Sequence, residues 1–326
     1  MTMRFTYLLL SLFAGSGAMA ADSVRPYVEV ARFQGDALAA VSMTFDDAFP
    51  SQIEKAIPLL DAQGLHATFF VHTDNVKETW ASTWDAWKRA AATGHEVGSH
   101  TKTHPNLTHV QSARQLRNEI EGSADLIEQN LGLRPISFAY PFSAANDAVQ
   151  RQVRSVYLLD RSDCRMWGGQ GFGADSGIRN IEQAVEKGTW FYCMMHGVDE
   201  VSFRPITAKA FGGIVAYLGA HRDTIWTAPY GTVGRYIRER MLADAKFRMV
   251  SATSFDVRLV LSDAESHGEI LTVPLTLKIA LDDHDGALVK VSRNSNALPA
   301  RVSRDGDYLL VDLVPGGGWV RVVWGD

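Results

Sequence analysis

The sequence predicts an α/β fold, a parallel (β/α) barrel followed by a small antiparallel β module. Three observations predict it. From about residue 38 to 255, apolar strand-like runs alternate with segments of helical periodicity. After about residue 256 the helical pattern stops, and short strand-like runs are separated by turn residues. Chemistry-bearing residues fall at the ends of the strand-like runs, where a parallel barrel gathers its functional side chains.

In chain order, ALAAVSMTF reads as a strand and SQIEKAIPLLDAQG as a helix closing on Gly64. HATFFVHT is a strand, TWDAWKRAAATG a helix ending at Gly94, and HEVGSHT a strand. A long helix, SARQLRNEIEGSADLIEQNLG, leads to the strand RPISFAYPF. NDAVQRQVRS is a helix, VYLLD a strand, and the glycine-rich DCRMWGGQGFGADSG a loop. NIEQAVEKG is a helix before the strand TWFYCMMHG. TAKAFGGIVAYLGAHR, DTIWTAPYG and TVGRYIRERMLADA follow as helix, strand and helix, and FRMVSATS is expected as the last barrel strand. Beyond it, VRLVLSD, EILTVPLTLKIAL, ALVKVSRN, YLLVDLV and WVRVVW are short strands punctuated by HDG, RDGD and PGGG. The expected division is residues 1–20, 21–255 and 256–326. Those segments are a signal peptide, the barrel and the β module.

Composition narrows the function. The chain of 326 residues is 46% hydrophobic and 21% charged, an ordinary globular balance with a net charge of -5. It lacks the basic footprint of a nucleic-acid binder; Arg235, Arg238 and Arg240 read as the solvated face of a helix. The first residues carry one positive charge, a short apolar run and Ala18-Met19-Ala20, the pattern of a secretory signal cut before Ala21. That run is short for a bilayer span, and no later stretch reads as one, so stable membrane insertion is not expected. The expected location is periplasmic or secreted. An oxidising compartment permits a disulfide between Cys164 and Cys193, although Cys193 lies in the apolar run TWFYCMM, where a buried thiol is the simpler reading.

The candidate site residues sit at strand ends. Asp46 and Asp47 close VSMTFDD, Pro141 and Phe142 close ISFAYPF, and His196 closes TWFYCMMH. His100 and His104, in HTKTH, are four residues apart, and a helical turn would put both on one side to hold a common ion. Turn and surface histidines account for many such pairs. Adding a carboxylate gives two imidazoles and a carboxylate with open positions, a catalytic zinc pattern that also suits non-haem iron. Trp226 and Tyr230, in TIWTAPYG, are read as lining the pocket, and Met194, two residues before His196, as lining it or filling the core. Trp84 and Trp87 read as packing residues, and Trp80 as a ligand platform at an open cleft or a packing residue. His72 and Asp74 end a strand and either shape the pocket or orient its ligands. Asp282, Asp283, His284 and Asp285 read as a hairpin turn rather than a metal cluster.

In order and approximate spacing, TFDDA, HTKTH followed by Pro-Asn-Leu, YPF and MMH resemble the motifs of the polysaccharide deacetylases, carbohydrate esterase family four. The resemblance runs over roughly residues 40 to 255. It implies a distorted (β/α) barrel with one divalent metal, usually zinc, and removal of acetyl groups from an acetylated carbohydrate. Carried onto these motifs, it makes Asp46 the general base, Asp47, His100 and His104 the metal ligands, and His196 the general acid. Pro141 and Phe142 line the site, with the Phe142 N–H stabilising the oxyanion. Three positions depart from the pattern. Ala48 replaces the usual Gly. Ala139 stands in FAYP where an Arg commonly precedes the Pro and contacts the catalytic Asp. The Asp-x-x-Asp-Trp motif has only Asp160 and Asp163 as weak counterparts.

The paired aspartates then have a physical purpose. One carboxylate cannot easily be a tight metal ligand and a free base together, and the metal offsets the repulsion between two. The expected substrates are N-acetylated sugar polymers or oligomers. An O-acetyl glycan of xylan type is the alternative, as is a catalytically impaired carbohydrate-binding protein.

Overall fold

The computed structural model describes residues 27–76, 82–251, 253–261, 273–281 and 289–324. The expected signal peptide, Trp80 and the Asp282–Asp285 turn lie outside the described residues. The strands of the first part are β1 (Val28–Val30), β2 (Ala39–Asp46), β3 (Thr68–Val71), β4 (Glu96–Ser99), β5 (Ser137–Ala139), β6 (Leu159–Arg161), β7 (Arg165–Met166), β8 (Trp190–Met195) and β9 (Ile225–Thr227). The helices are α1 (Ile57–Asp61), α2 (Trp84–Ala92), α3 (Ala113–Leu131), α4 (Asp147–Arg154), α5 (Ala174–Lys187), α6 (Ala208–Ala220) and α7 (Tyr230–Leu242). Then come β10 (Ala243–Ser251), β11 (Ser254–Leu261), β12 (Leu275–Ala280), β13 (Val289–Arg293), β14 (Asn296–Ala297), β15 (Arg301–Val302), β16 (Tyr308–Leu313) and β17 (Val320–Trp324).

The central sheet is parallel and ordered β6-β5-β4-β3-β2-β8-β7, with β9 joined to β2. Its edge strands β6 and β7 are separated in sequence only by residues 162–164. A linker that short spans at most about 14 Å. The sheet must therefore curl until its two edges approach, which gives a half barrel with a small interior. Strand β2 is buried along its whole length. Alternation sends Val41, Met43 and Phe45 outward into the core shared with α1, α2, α5 and α6. The same alternation sends Ser42, Thr44 and Asp46 to the inner face. Helix ends follow their sequence signals: Ser112 accepts from Gln115 N at the start of α3, and Gly132 closes it with φ 74°.

The remaining strands form two antiparallel sheets, β1-β12-β16-β15 and β10-β11-β17-β13-β14, around a second apolar core. Two expectations change here. The segment expected as the last barrel strand belongs to β10, which pairs antiparallel with β11, Phe247 opposite Val257. The reason is legible in ADAKFRMVS. Ala243, Ala245 and Met249 pack on the second core while Asp244, Lys246 and Arg248 are exposed. That alternation suits a strand with one wet face, not a doubly covered parallel strand. The short β1 also joins these sheets, with Val28 opposite Ile279. Tyr236 of α7 locks the two parts together. Its ring packs 5.1 Å from Trp226, and its hydroxyl donates to Ala31 O at 2.9 Å. No helix among the described residues is long and apolar enough to cross a membrane.

Candidate active site

The site forms where β2, β4, β5 and β8 end. Asp46 is the last residue of β2; Asp47 and Ala48 then take left-handed conformations, φ 77° and 56°. This reversal swings Asp47 off the strand, so the two neighbouring carboxylates approach one site from different directions. A Gly at position 48 would adopt that φ freely; Ala costs about 1–2 kcal/mol. Asp47 is held by its own N–H donating to Phe70 O and by Asn75 Nδ2 donating to Asp47 O, at 3.1 and 2.7 Å.

His100 follows β4, and its Nδ1 lies 2.8 Å from Ala139 O. That contact makes Nδ1 the N–H donor and turns Nε2 toward Asp47 as a free lone pair. The HTKTH segment is not the helical turn its spacing suggested. Thr101 and His104 have φ of 69° and 62°, and His104 N donates to Thr101 Oγ1 at 3.0 Å. Buried Glu119 of α3 anchors this loop, accepting from Lys102 N, Thr103 N and Thr103 Oγ1 at 3.0, 2.8 and 2.8 Å. The nearby segment after β3 adds Thr73 N to Thr101 O at 3.2 Å and Asp74 N to Lys102 O at 2.9 Å.

His104 Nε2 and His100 Nε2 lie 3.3 and 3.6 Å from Asp47 Oδ1. One ligand atom from each of the three residues falls within 4.8 Å of the others. Asp47 Oδ1 is buried without a hydrogen-bond partner among the described residues. Burial pushes the His100 imidazole down to about 3, and burial also lowers His104, so both rings are neutral at pH 7. Burial, then the charge of Asp46, raises the Asp47 carboxyl to about 6. An orphaned carboxylate oxygen facing two neutral imidazoles suits a divalent cation, which would relieve that penalty.

Asp46 has the opposite environment. Burial works against its ionisation, but the Arg161 guanidinium, then His100 and His196, overcome this and hold the carboxyl below the usual range. Arg161 Nη2 donates to Asp46 Oδ2 at 2.5 Å, Nη1 donates to Thr44 Oγ1 at 2.8 Å, and the guanidinium lies 4.8 Å from the Phe70 ring centroid. Arg161 is thus the cation that FAYP lacks. It reaches Asp46 from β6, across the curled interior, rather than from the residue before Pro141. The other Asp46 oxygen, Oδ1, is buried without a partner among the described residues.

His196 closes β8 with Nε2 3.8 Å from Asp47 Oδ2. Buried Gln52, in a short π-helical turn, donates to both Asp46 O and His196 O at 2.6 and 3.2 Å, tying the two strand ends together. His196 Nδ1 is buried and unpartnered among the described residues. Neither candidate acid serves it. Asp163 is exposed, and the Asp160 carboxylate accepts from Tyr140 and Arg154. Pro141 is buried beneath the rim, and Phe142, with φ 61° and 69% exposure, sets its ring 4.8 Å from that of His104. Met194 is half-buried beside Thr44, on the inner face with Asp46.

Trp226 and Tyr230 are not at the rim. β9 pairs with the start of β2, Trp226 opposite Ala40. Six residues at about 3.3 Å each put Trp226 roughly 20 Å below Asp46. Tyr230 fills the interior beneath the site, packed on Phe70, Trp190 and Tyr192, and its hydroxyl donates to Asp160 O at 3.0 Å. Trp84 and Trp87 pack on the main core, as expected. His72 sits beside His104 with ring centroids 5.5 Å apart. Both cysteines are free thiols, Cys193 fully buried and Cys164 3.5 Å from Arg161 Nη1.

Fold and site together define a curled parallel α/β half barrel with carboxylates and imidazoles gathered at its strand ends. Residues 37–158 match the family model described as polysaccharide deacetylase. Over 333 residues, 90% of this chain, it is 24% identical to a gellan lyase of a Bacillus species, of which it spans 13%. It is 30% identical over 131 residues, 39% of the chain, to the peptidoglycan-N-acetylmuramic acid deacetylase PdaC of Bacillus subtilis (strain 168), spanning 26% of that protein. A structure from Mycobacterium smegmatis, itself provisionally described as a polysaccharide deacetylase, shares the fold with a TM-score of 0.54 at 15% identity, covering 68% of this chain and 97% of the other. The chain therefore spans only a minor part of the curated relatives it matches.

Two substitutions test the site's supports. Arg161→Met should lower unfolding stability by about 3–5 kcal/mol, because it leaves a buried carboxylate unpaired. Since Arg161 lowers the Asp46 carboxyl, its loss should also move the acid limb of the pH–rate profile to higher pH; an unmoved limb would contradict the assignment. Glu119→Ala should weaken zinc binding by roughly 10–100-fold while the folded circular dichroism spectrum persists. Glu119→Gln, which retains an acceptor for the loop, should lose no more than about threefold. Equal zinc affinity in all three proteins would remove Glu119 from the site.

Proposed function

We propose that this chain is a metal-dependent hydrolase that removes acetyl groups from a carbohydrate, with N-acetylated sugar polymers or oligomers as its substrates. One observation carries the reading: a carboxylate kept ionised by Arg161, with one oxygen free, stands beside a separate carboxylate and two neutral imidazoles. A divalent cation at Asp47, His100 and His104, zinc in this reading, would polarise the acetyl carbonyl and lower the pKa of water to ~7. Asp46 Oδ1 takes the proton of the attacking water. The Phe142 N–H donates to the carbonyl oxygen as it becomes an oxyanion. His196 gives its proton to the nitrogen as the carbon–nitrogen bond breaks, so acetate and a free amine leave. Pro141 and Met194 shape the wall against which the acetyl group lies.

The peptidoglycan deacetylase among the relatives supports an amide substrate. A Pseudobutyrivibrio xylanivorans relative named as a bifunctional xylanase/deacetylase, 28% identical over 36% of this chain, keeps O-acetyl xylan as the second reading. The impaired-protein alternative drew on the absent arginine and the extra β module; Arg161 beside Asp46 speaks against the first of these grounds. Export after cleavage following Ala20 belongs to the same proposal and is checked by N-terminal sequencing of the mature protein.

A panel of acetylated glycans, assayed for free acetate with zinc-loaded protein, tests the reading. Wild type should release acetate from N-acetylglucosamine oligomers faster than from acetyl xylan. Asp46→Asn should keep its zinc and lose about 10²–10⁴ in turnover. Loss of zinc from Asp46→Asn would reverse the two aspartate roles, and no acetate from any glycan would reject the activity.

A further inference from the structure

The loop after β8 has no counterpart among the expected site residues, yet it stands against His196. It exposes two large apolar side chains, Val201 at 98% and Phe203 at 64%. Isolated surface apolar residues are ordinary. This loop differs because it is firmly built. Asp199 N donates to Ile206 O and Ile206 N to Gly197 O, at 2.9 and 3.0 Å. Gly197 N donates to Ser202 Oγ, and Val198 N to Ser51 Oγ, at 3.0 and 2.9 Å. Glu200 returns to accept from Ser51 N at 3.1 Å. On its other side Gly169 N donates to Pro205 O at 3.0 Å. A Cβ at Gly168, whose φ is +117°, would lie 2.3 Å from Arg204 O, so only Gly allows this approach.

Within that frame Asp199 and Arg204 take φ of 48° and 50°, a conformation costly for non-glycine residues. Such strain persists where surrounding contacts over-determine it, and it gathers at functional sites. Here it turns Phe203 toward the site. The Phe203 ring meets the His196 imidazole edge-on, with centroids 5.7 Å apart at 86°. Phe142, itself at φ 61°, does the same to His104, at 4.8 Å and 63°. His104 and His196 flank the two different oxygens of Asp47, at 3.3 and 3.8 Å. Two exposed rings on constrained backbone thus bracket one carboxylate from its two sides.

We propose that Phe203 is a sugar-stacking residue, the second wall of a cleft whose first wall is Phe142, and that its ligand is the apolar face of a pyranose ring in the acetylated glycan. A flat aromatic ring open to solvent matches the C–H face of a sugar and discriminates by ring shape rather than charge. This inference rests on the deacetylase reading above and deepens it. The loop side chains then supply affinity for the chain of sugars, while the strand-end residues act on the acetyl group.

The test uses zinc-loaded full-length protein and the N-acetylglucosamine pentamer. Phe203→Ala should raise KM about three- to tenfold, with the loss falling on KM rather than kcat. Phe203→Tyr should restore the wild-type KM, and Phe203→Leu, apolar but not flat, should not. Full rescue by Leu would mean that Phe203 merely fills space. A loss confined to kcat would place it behind His196 instead, and an unchanged Phe203→Ala would remove it from the cleft; either result overturns the proposal while leaving the deacetylase reading intact. Absence of acetate release by the wild type overturns both.

Discussion

Two carboxylates on consecutive residues end a fully buried strand, and their mutual repulsion is the constraint around which the site is arranged. Like charges this close cannot both ionise in a buried place without compensation. The compensation is divided. Arg161, itself buried, takes one oxygen of Asp46. Among the described residues Asp47 has no fixed cation beside it; it faces His100 and His104, with a carboxyl raised to about 6 by burial and by Asp46. The asymmetry makes chemically identical neighbours unequal: one is held ionised by the protein, and the other sits among groups that could hold a cation.

The curl of the sheet makes that division available. Arg161 lies on β6, an edge strand, whereas Asp46 lies on β2 near the middle of the sheet order. Only when the edges approach does the Arg161 side chain cross the interior. The aromatic residues beneath it serve the same end. Phe70 lies under the guanidinium, and Tyr230 holds the backbone of Asp160. Sequence placed Tyr230 at the substrate rim; its place in the fold makes it part of the floor that aims Arg161. Gln52 and Asn75 fix the backbone carbonyls of Asp46 and Asp47 in the same way, from segments that carry no motif.

Much of this was legible in the residues themselves. Side chains at strand ends could be read because strand ends are marked by apolar runs that stop, and Asp46, Asp47, His100, His104 and His196 do converge. What escaped depends on pairing between distant segments. Arg161 sits in VYLLDRSDC, where a lone Arg after an apolar run is the available signal, and the two flanking aspartates are the more conspicuous residues. Glu119 looks like any acidic residue of a long helix until its loop folds over it. β9 reads as a strand, yet nothing local says that it pairs with the first residues of β2 rather than the last, and Trp226 was therefore misplaced by the length of a strand. β10 shows its nature in its polar alternation, which the repeated strand–helix rhythm overrode.

The most direct test of the divided charge is calorimetric titration of zinc into the metal-free protein between pH 5 and pH 8, in buffers of differing ionisation heat. Ligand deprotonation couples metal affinity to pH. With Asp47 at about 6 and His100 at about 3, binding should release close to one proton near pH 5 and almost none by about pH 7.5. Affinity should be nearly flat above about pH 7 and weaken toward tenfold per unit below about 6. Affinity independent of pH across this range, with no proton released, would contradict the account, because it would mean that Asp47 carries its charge without the cation.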